Sequence, residues 1–313
     1  MNIKLIIDFR DKLMQNLEKV ILGKTKVLDL VIMGLLCHGH LLIDDVPGVG
    51  KTILAKSIAI SLGCKFHRIQ FTPDMLPSDI TGVSFFNQVS KIIEFRPGPV
   101  FAEIILADEI NRATPKTQSA LLEAMEERQV TIDGVTHPLP KTFMVIGTQN
   151  PIEYEGTFPL PEAQLDRFLM KIRIGYPSAS YEIKMLESQQ FHHPIEDLKA
   201  VVTKKELLKV QESIKKIYVS DAIKKYIVRL IKATRENEDI YLGASPRGSL
   251  GLFRVGQVYA ALNGRDYIIP DDIKEIAGPV LAHRMVIQPG ARIKNLTSDQ
   301  VIQEILSQIP VDG

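Results

Sequence analysis

LLIDDVPGVGKT, residues 41–52, decides the fold of this chain. A phosphate-binding loop reads G-x-x-x-x-G-K-[ST], and Gly50, Lys51 and Thr52 fill its last three places. The apolar LLID before the loop reads as a strand and TILAKSIAISL after it as a helix, which is the context such a loop requires. Backbone N–H groups of the loop and the helix N-terminus then face a phosphate chain. Lys51 supplies a cation and Thr52 a hydroxyl for Mg2+, while Pro47, Gly48, Val49, Gly50 and Ile53 complete the nucleotide-binding stretch. Asp45 stands where the general motif has its first glycine. The residues that must approach phosphates closely are Gly48 and Gly50, so Asp45 is expected to be structural. It ends the strand, tolerates turn geometry and caps local N–H groups, and is not expected to bind magnesium.

Outward from the loop, residues 1–40 read as amphipathic helices, with Leu13, Leu17 and Val20, then Val27, Leu30, Val31 and Leu35, at helical spacing. From 41 to about 175 short β-type runs alternate with helical stretches: KFHRIQF (65–71), IILAD (104–108), TFMVIG (142–147) and MKIRI (170–174). IILAD and TFMVIG are nearly continuous apolar runs, the mark of parallel strands covered on both faces. Helices are predicted at 53–62 and 115–128, the second opened by Thr114 as N-cap and Pro115 at the first helical position. Beyond Pro177 strand signals disappear, and 204–217, 220–237, 245–264 and 270–285 carry helical periodicity. Ser245-Pro246 opens one of these helices, Gly264 falls at its C-terminal cap, and Thr297 with Gln300 forms a capping box for the last. The expected architecture is an α/β parallel-sheet domain with N-terminal helices (1–177) followed by an all-helical domain (178–313).

Composition agrees with two soluble domains: 313 residues, 45% hydrophobic and 24% charged, suffice for packed cores. Lys+Arg at 38 against Asp+Glu at 37 gives a net charge of +1, so there is no global pull towards nucleic acid or acidic membranes. Cys37 and Cys64 form no CxxC or Cys/His cluster and read as reduced, largely buried thiols. The first residues hold too short an apolar run for a signal peptide, and 27–37 is interrupted by Asp29. That run falls short of the ~20 residues needed to span a bilayer. A cytoplasmic protein without direct membrane insertion is expected.

Downstream motifs supply the remaining chemistry. In IILADEINRA (104–113) the strand delivers Asp108, placed to order Mg2+, and Glu109, placed to polarise an attacking water. TFMVIGTQNP (142–151) empties into Thr148, Gln149 and Asn150; Asn150 either bonds the γ-phosphate or the water, or merely makes a turn with Pro151. LPEAQLDRFL (160–169) sets Arg167 beside Asp166, either a surface ion pair or an arginine finger reaching a neighbour's γ-phosphate. Arg247, after GASP, lies in the first turn of a helix, where it opposes the helix dipole and calls for a compensating anion from outside.

Together DVPGVGKT, LADEINRA, GTQNP, LPEAQLDRF and GASPRG make the chain resemble the AAA+ ATPases, and most closely the MoxR family, over nearly its whole length. The resemblance implies a P-loop NTPase (AAA+) sheet domain with a C-terminal helical lid. It places Lys51 and Thr52 in Walker A, Asp108 and Glu109 in Walker B, and Asn150 at sensor 1. Arg167 matches the arginine finger and Arg247 sensor 2, and the family commonly carries an Asp at the position of Asp45. Residues 80–102 take the place of the helix-2 insert, and 128–140, with an Asp133-Gly134 turn, that of the hairpin before sensor 1. Residues 21–24 and 38–40 lie where the family packs around adenine; His40 has no partner at metal-ligand spacing.

What the resemblance implies is a Mg2+-dependent ATPase with ATP bound between sheet domain and lid at a subunit interface. Glu109 orients water, Asn150 positions it, a neighbour's Arg167 stabilises charge on the leaving phosphate, and Arg247 couples lid closure to the nucleotide. The expected work is chaperone-like remodelling, assembly, or metal insertion into client complexes by a homo-oligomeric ring, expected to be a hexamer. A von Willebrand A-domain protein is the expected separate partner. The alternative is an AAA+ motor on nucleic acid, which the +1 balance does not support and for which the two hairpins offer only Lys91 and Arg96, and Arg128 and Lys141. A switch GTPase lacks its N-K-x-D motif here, and Glu109 beside Asp108 suits activating water rather than excluding it, as a small-molecule kinase must. A nucleotide-gated scaffold without turnover also fits the motifs.

Overall fold

In the computed structural model residues 3–150 and 156–310 are described. Helices α1 (Ile3–Leu17) and α2 (Thr25–Leu36) lead into strand β1 (Leu41–Asp44) and helix α3 (Lys51–Ser61). Strand β2 (Phe66–Gln70) and the short α4 (Pro77–Thr81) precede a hairpin of β3 (Gly82–Asn87) and β4 (Ile92–Pro97). Then come β5 (Ile104–Asp108), α5 (Pro115–Glu127), a second hairpin of β6 (Gln129–Ile132) and β7 (Val135–Pro138), and β8 (Met144–Gln149). The short α6 (Glu162–Leu165) and β9 (Met170–Ile172) finish the sheet region. Beyond it lie α7 (Ala179–Ser188), α8 (Lys204–Ile214), α9 (Asp221–Glu236), β10 (Ile240–Leu242) and α10 (Pro246–Leu262). The chain continues through α11 (Pro270–Leu281), β11 (Val286–Ile287), α12 (Pro289–Ile293) and α13 (Ser298–Gln308).

The apolar runs form one parallel sheet, ordered β2-β5-β8-β1-β9. Alternation along each strand divides its side chains between two cores. Leu41, Ile43, Ile104, Leu106, Met144 and Ile146 face α1, α2 and α3, whereas Leu42, Ile105, Ala107 and Val145 face the side of α4 and α5. All are buried, as strands covered on both faces must be. Helix α1 also packs against α8 and α10, so the first core runs without a break into the C-terminal helices.

The predicted Asp133-Gly134 turn is present, with both residues at positive φ (50° and 79°) as a tight hairpin with the sheet's twist requires. The segment at 80–102 forms the expected hairpin, and its Phe95 stacks on His137 of the other hairpin with ring centres 4.2 Å apart. One feature departs from the sequence expectation: β10 and β11 pair antiparallel inside the helical part. Strands of three and two residues are shorter than any window in which a period of two can be read. No helix among the described residues is long and apolar enough to cross a membrane. Cys37 and Cys64 are unpaired, and burial pushes their thiols up to about 12 and about 11.

Candidate active site

The carboxyl ends of β1, β8 and β5 lie side by side, so the segments leaving them converge. From β1 the chain passes through Asp45, whose Oδ1 accepts Val46 N at 2.8 Å and whose Oδ2 accepts Ile174 N at 2.6 Å and Gly175 N at 2.7 Å. Asp45 thus ties the root of the loop to the chain after β9, and both its oxygens are committed to backbone. The structural role expected for it is the one it has. Gly48 and Gly50 then take positive φ (84° and 89°), open to glycine without strain. Helix α3 begins at Lys51 with no side-chain cap, which leaves its first-turn N–H groups for a ligand.

Lys51 Nζ bonds the carbonyls of Asp45 and, at 3.3 Å, Gln149. Partial burial lowers its pKa, against the opposing pull of Asp45, Asp108, Asp44 and Glu109. At the end of β5, Asp108 Oδ1 accepts the Thr148 hydroxyl at 2.7 Å, and the same hydroxyl accepts Glu109 N at 2.9 Å. Glu109 sits in the left-handed region at φ 56°, a strained place for a residue with a side chain, and one that turns the carboxylate off the strand. Its Oε2 accepts Gln70 Nε2 at 2.7 Å and Arg112 at 3.2 Å.

Pro47, Gly48, Gly50, Lys51, Thr52, Ile53, Asp108, Glu109 and Asn150 line one cavity of about 330 Å³. Asn150 is described and buried; the Pro151 of the alternative turn lies outside the described residues. Val49 lies in an adjoining cavity of about 350 Å³ with Gly48, Ile53, Ile21, Lys24 and Tyr176. The residues fit a nucleoside triphosphate with a divalent cation. A Cβ placed on Gly48 or Gly50 would meet no atom within 4 Å, so the loop opens onto space on its phosphate side. Lys51 offers a cation, and Thr52 and Asp108 offer oxygens for a metal and its waters.

Arg167 and Arg247 are not in that cavity. They line another, of about 300 Å³, with His38, His40, Glu126, Asp166 and Arg284. Residues 38–40 therefore do not stand with 21–24 on the loop side. His40 is a satisfied core residue: Nε2 donates to Met125 O at 3.1 Å and Nδ1 accepts Val145 N at 2.9 Å. Nor does Arg167 pair with its neighbour in sequence. It meets Glu126 at 3.0 Å, while Asp166 takes the Ser245 hydroxyl at 2.7 Å and Arg284 at 3.0 Å. The anion opposite Arg247 is internal, Glu126, with Asp166 at 3.7 Å.

Sequence reading missed three groups. Arg68 lines the phosphate-side cavity and, with Gln70, engages Asp108 and Glu109; both lie in the run read only as a strand, spaced two apart, and that alternation was the available signal. Arg284, 3% exposed, had none, because the carbonyls it binds come from residues 166–169 and 280.

Comparison with known proteins follows the same lines. The family described as ATPase family associated with various cellular activities (AAA) matches residues 40–170, and the AAA lid domain matches 232–305. The chain is 49% identical to the uncharacterised protein YeaC of Bacillus subtilis over 96% of its length and 94% of that protein's. It is 42% identical to Chaperone MoxR1 of Mycobacterium tuberculosis over 93% of its length and 79% of that chaperone's. A crystal structure of a protein described as an ATPase, from Cytophaga hutchinsonii, superposes with a TM-score of 0.92 at 38% identity, covering 99% of this chain and 98% of the other.

Proposed function

From the premise that the chain belongs to the MoxR family of AAA+ ATPases, we propose that it hydrolyses Mg2+-ATP within a homo-oligomeric ring and spends the turnover on remodelling client proteins. One observation carries this reading: the groups that bind and activate line one cavity, while two arginines line another. Bound Mg2+ would neutralise charge on the leaving phosphate. The loop amides and Lys51 hold the phosphates, and Thr52 and Asp108 hold the metal with its waters. Glu109 takes the proton of the attacking water and Asn150 orients that water. Arg167 and Arg247 then come from a neighbouring subunit, both in trans. A ring, expected to be a hexamer, closes such head-to-tail contacts.

The division near 177 then separates the sheet from the lid that carries Arg247. The hairpin of β3 and β4 exposes Phe86 and Ile93 on one face and Phe85 and Ile92 on the other, apolar groups that favour a protein client over nucleic acid. A von Willebrand A-domain partner, metal insertion into the client complex, and a cytoplasmic setting remain part of the proposal.

The test is ATP turnover against protein concentration. Specific activity is expected to rise with assembly, because a trans arginine contributes ~10³–10⁵ in rate. Glu109→Gln is expected to bind ATP and not turn it over, and Arg167→Ala and Arg247→Ala to lose turnover. Full activity in both arginine variants would remove the trans assignment, and absence of ATP binding by the wild type would remove the reading altogether.

A further inference from the structure

Strand β2 lies at the edge of the sheet, in register with β5 so that Gln70 stands opposite Asp108 and Arg68 opposite Leu106. Side chains two apart on a strand share a face, so Arg68 and Gln70 stand side by side, Arg68 reaching Asp108 and Gln70 reaching Glu109. Arg68 Nε and Nη2 both donate to Asp108 Oδ2, at 3.0 and 2.6 Å, and Nη2 also donates to Gln70 Oε1 at 2.5 Å. Asp108 Oδ1 holds the Thr148 hydroxyl. The arginine side chain is 47% exposed and lines the same cavity as Lys51 and Thr52.

A half-exposed ion pair contributes little to stability, and β2 is already joined to β5 by backbone pairing along its length. What the pair does control is access to one oxygen. Oδ2 already accepts two N–H bonds, so a metal-bound water can donate to it only if the guanidinium withdraws. An arginine does not lose its charge at any ordinary pH, so the contest is permanent.

We propose that Arg68 is a built-in counter-cation that competes with Mg2+ for Asp108 and so sets the metal concentration at which the nucleotide site fills. It is a positioning residue, acting through Asp108, and the inference rests on the reading of Asp108 as the metal-ordering carboxylate. Release requires only rotation of a long, half-exposed side chain.

The test measures binding and not turnover. A fluorescent, non-hydrolysable mant-ATP analogue is held with the full chain in EDTA and titrated with MgCl2, for wild type, Arg68→Gln and Arg68→Lys. Arg68→Gln is expected to lower the Mg2+ concentration of half-saturation about three- to tenfold, a range set by a charge-assisted pair at a partly exposed site. Affinity in EDTA is expected to move less. Arg68→Lys is expected to fall between, since an ammonium keeps the charge without the fork, and it carries the test in the event that Arg68→Gln melts early. An unchanged or raised half-point in both variants overturns the proposal. Mg2+-independent nucleotide binding by the wild type, unaltered in Asp108→Asn, instead overturns the metal role of Asp108 and with it the reading on which this inference stands.

Discussion

Asp45 is a residue whose side chain does the work of a loop. Three backbone N–H groups, of Val46, Ile174 and Gly175, end on its two oxygens, and the residue is 8% exposed. Replacing it by the glycine of the general motif would therefore not improve the site. Asp45→Gly leaves three donors without an acceptor and adds backbone freedom, at about 2–4 kcal/mol in stability. Asp45→Asn keeps one acceptor oxygen and is expected to cost less than half as much. Urea unfolding of the two variants checks the order, and equal stability of Asp45→Gly and wild type would show that these bonds are not worth making. The motif residues were legible because phosphate chemistry needs fixed residue types at fixed spacing. The partners of Asp45 were not, because they belong to a strand's exit 129 residues further on. Arg68 and Gln70 were unread for a related reason: an edge strand tolerates polar residues, so two of them carry no motif.

At the scale of elements, LLID and IILAD were readable to the residue, since a buried parallel strand leaves a run that little else produces. Helix starts marked by side-chain oxygens, Ser245 and Thr297, were equally plain. What joins the elements was not. Arg284, just after α11, binds the carbonyls of Phe168 at 2.7 Å and Leu169 at 3.1 Å and meets Asp166 at 3.0 Å. It fastens the stretch that carries Arg167 to the C-terminal helices. Burial lowers its pKa to about 10, against the pull of Asp166, so it stays charged at neutral pH. Arg284→Met should lower the unfolding free energy by about 2–4 kcal/mol, because the carbonyls of Phe168 and Leu169 lose a donor and Asp166 loses its nearest cation, keeping the Ser245 hydroxyl and the more distant Arg247. Adding Asp166→Leu should restore part of the loss, since the second change removes a carboxylate whose nearest cation is gone. Additive losses in the double variant, measured by denaturant midpoint, would mean that the two side chains do not act as a pair.

At the scale of the whole molecule, packed histidines make the fold sensitive to acid. His40 lies at the junction of α5 and β8, and burial, with Arg128 as a secondary cause, lowers its pKa to about 3. His283, beside Arg284 and against Phe168 O, is lowered well below its ordinary value, again by burial first. The unfolded chain takes up these protons near pH ~6.5, whereas the folded chain resists them. Between pH ~6.5 and the lower folded-state values the unfolded state thus binds more protons, and stability rises with pH. The contribution is complete above pH ~6.5 and is lost as pH falls towards about 3, by up to ~1.4 kcal/mol per unit for each buried histidine. Carboxylates held down by ion pairs, such as Glu103 with Lys204, add their loss only nearer their own unfolded value of ~4.3. The window from pH 6 to 5 therefore belongs to the histidines. Urea midpoints in that window should fall steeply for the wild type and less steeply for His40→Gln, which lacks the titrating ring while retaining a donor and an acceptor. His40→Gln is expected to be the less stable of the two at pH 7, because its amide cannot span from Met125 O to Val145 N as the ring does, so the two curves should approach each other as the pH drops. Parallel curves would mean that His40 is not the source of the slope.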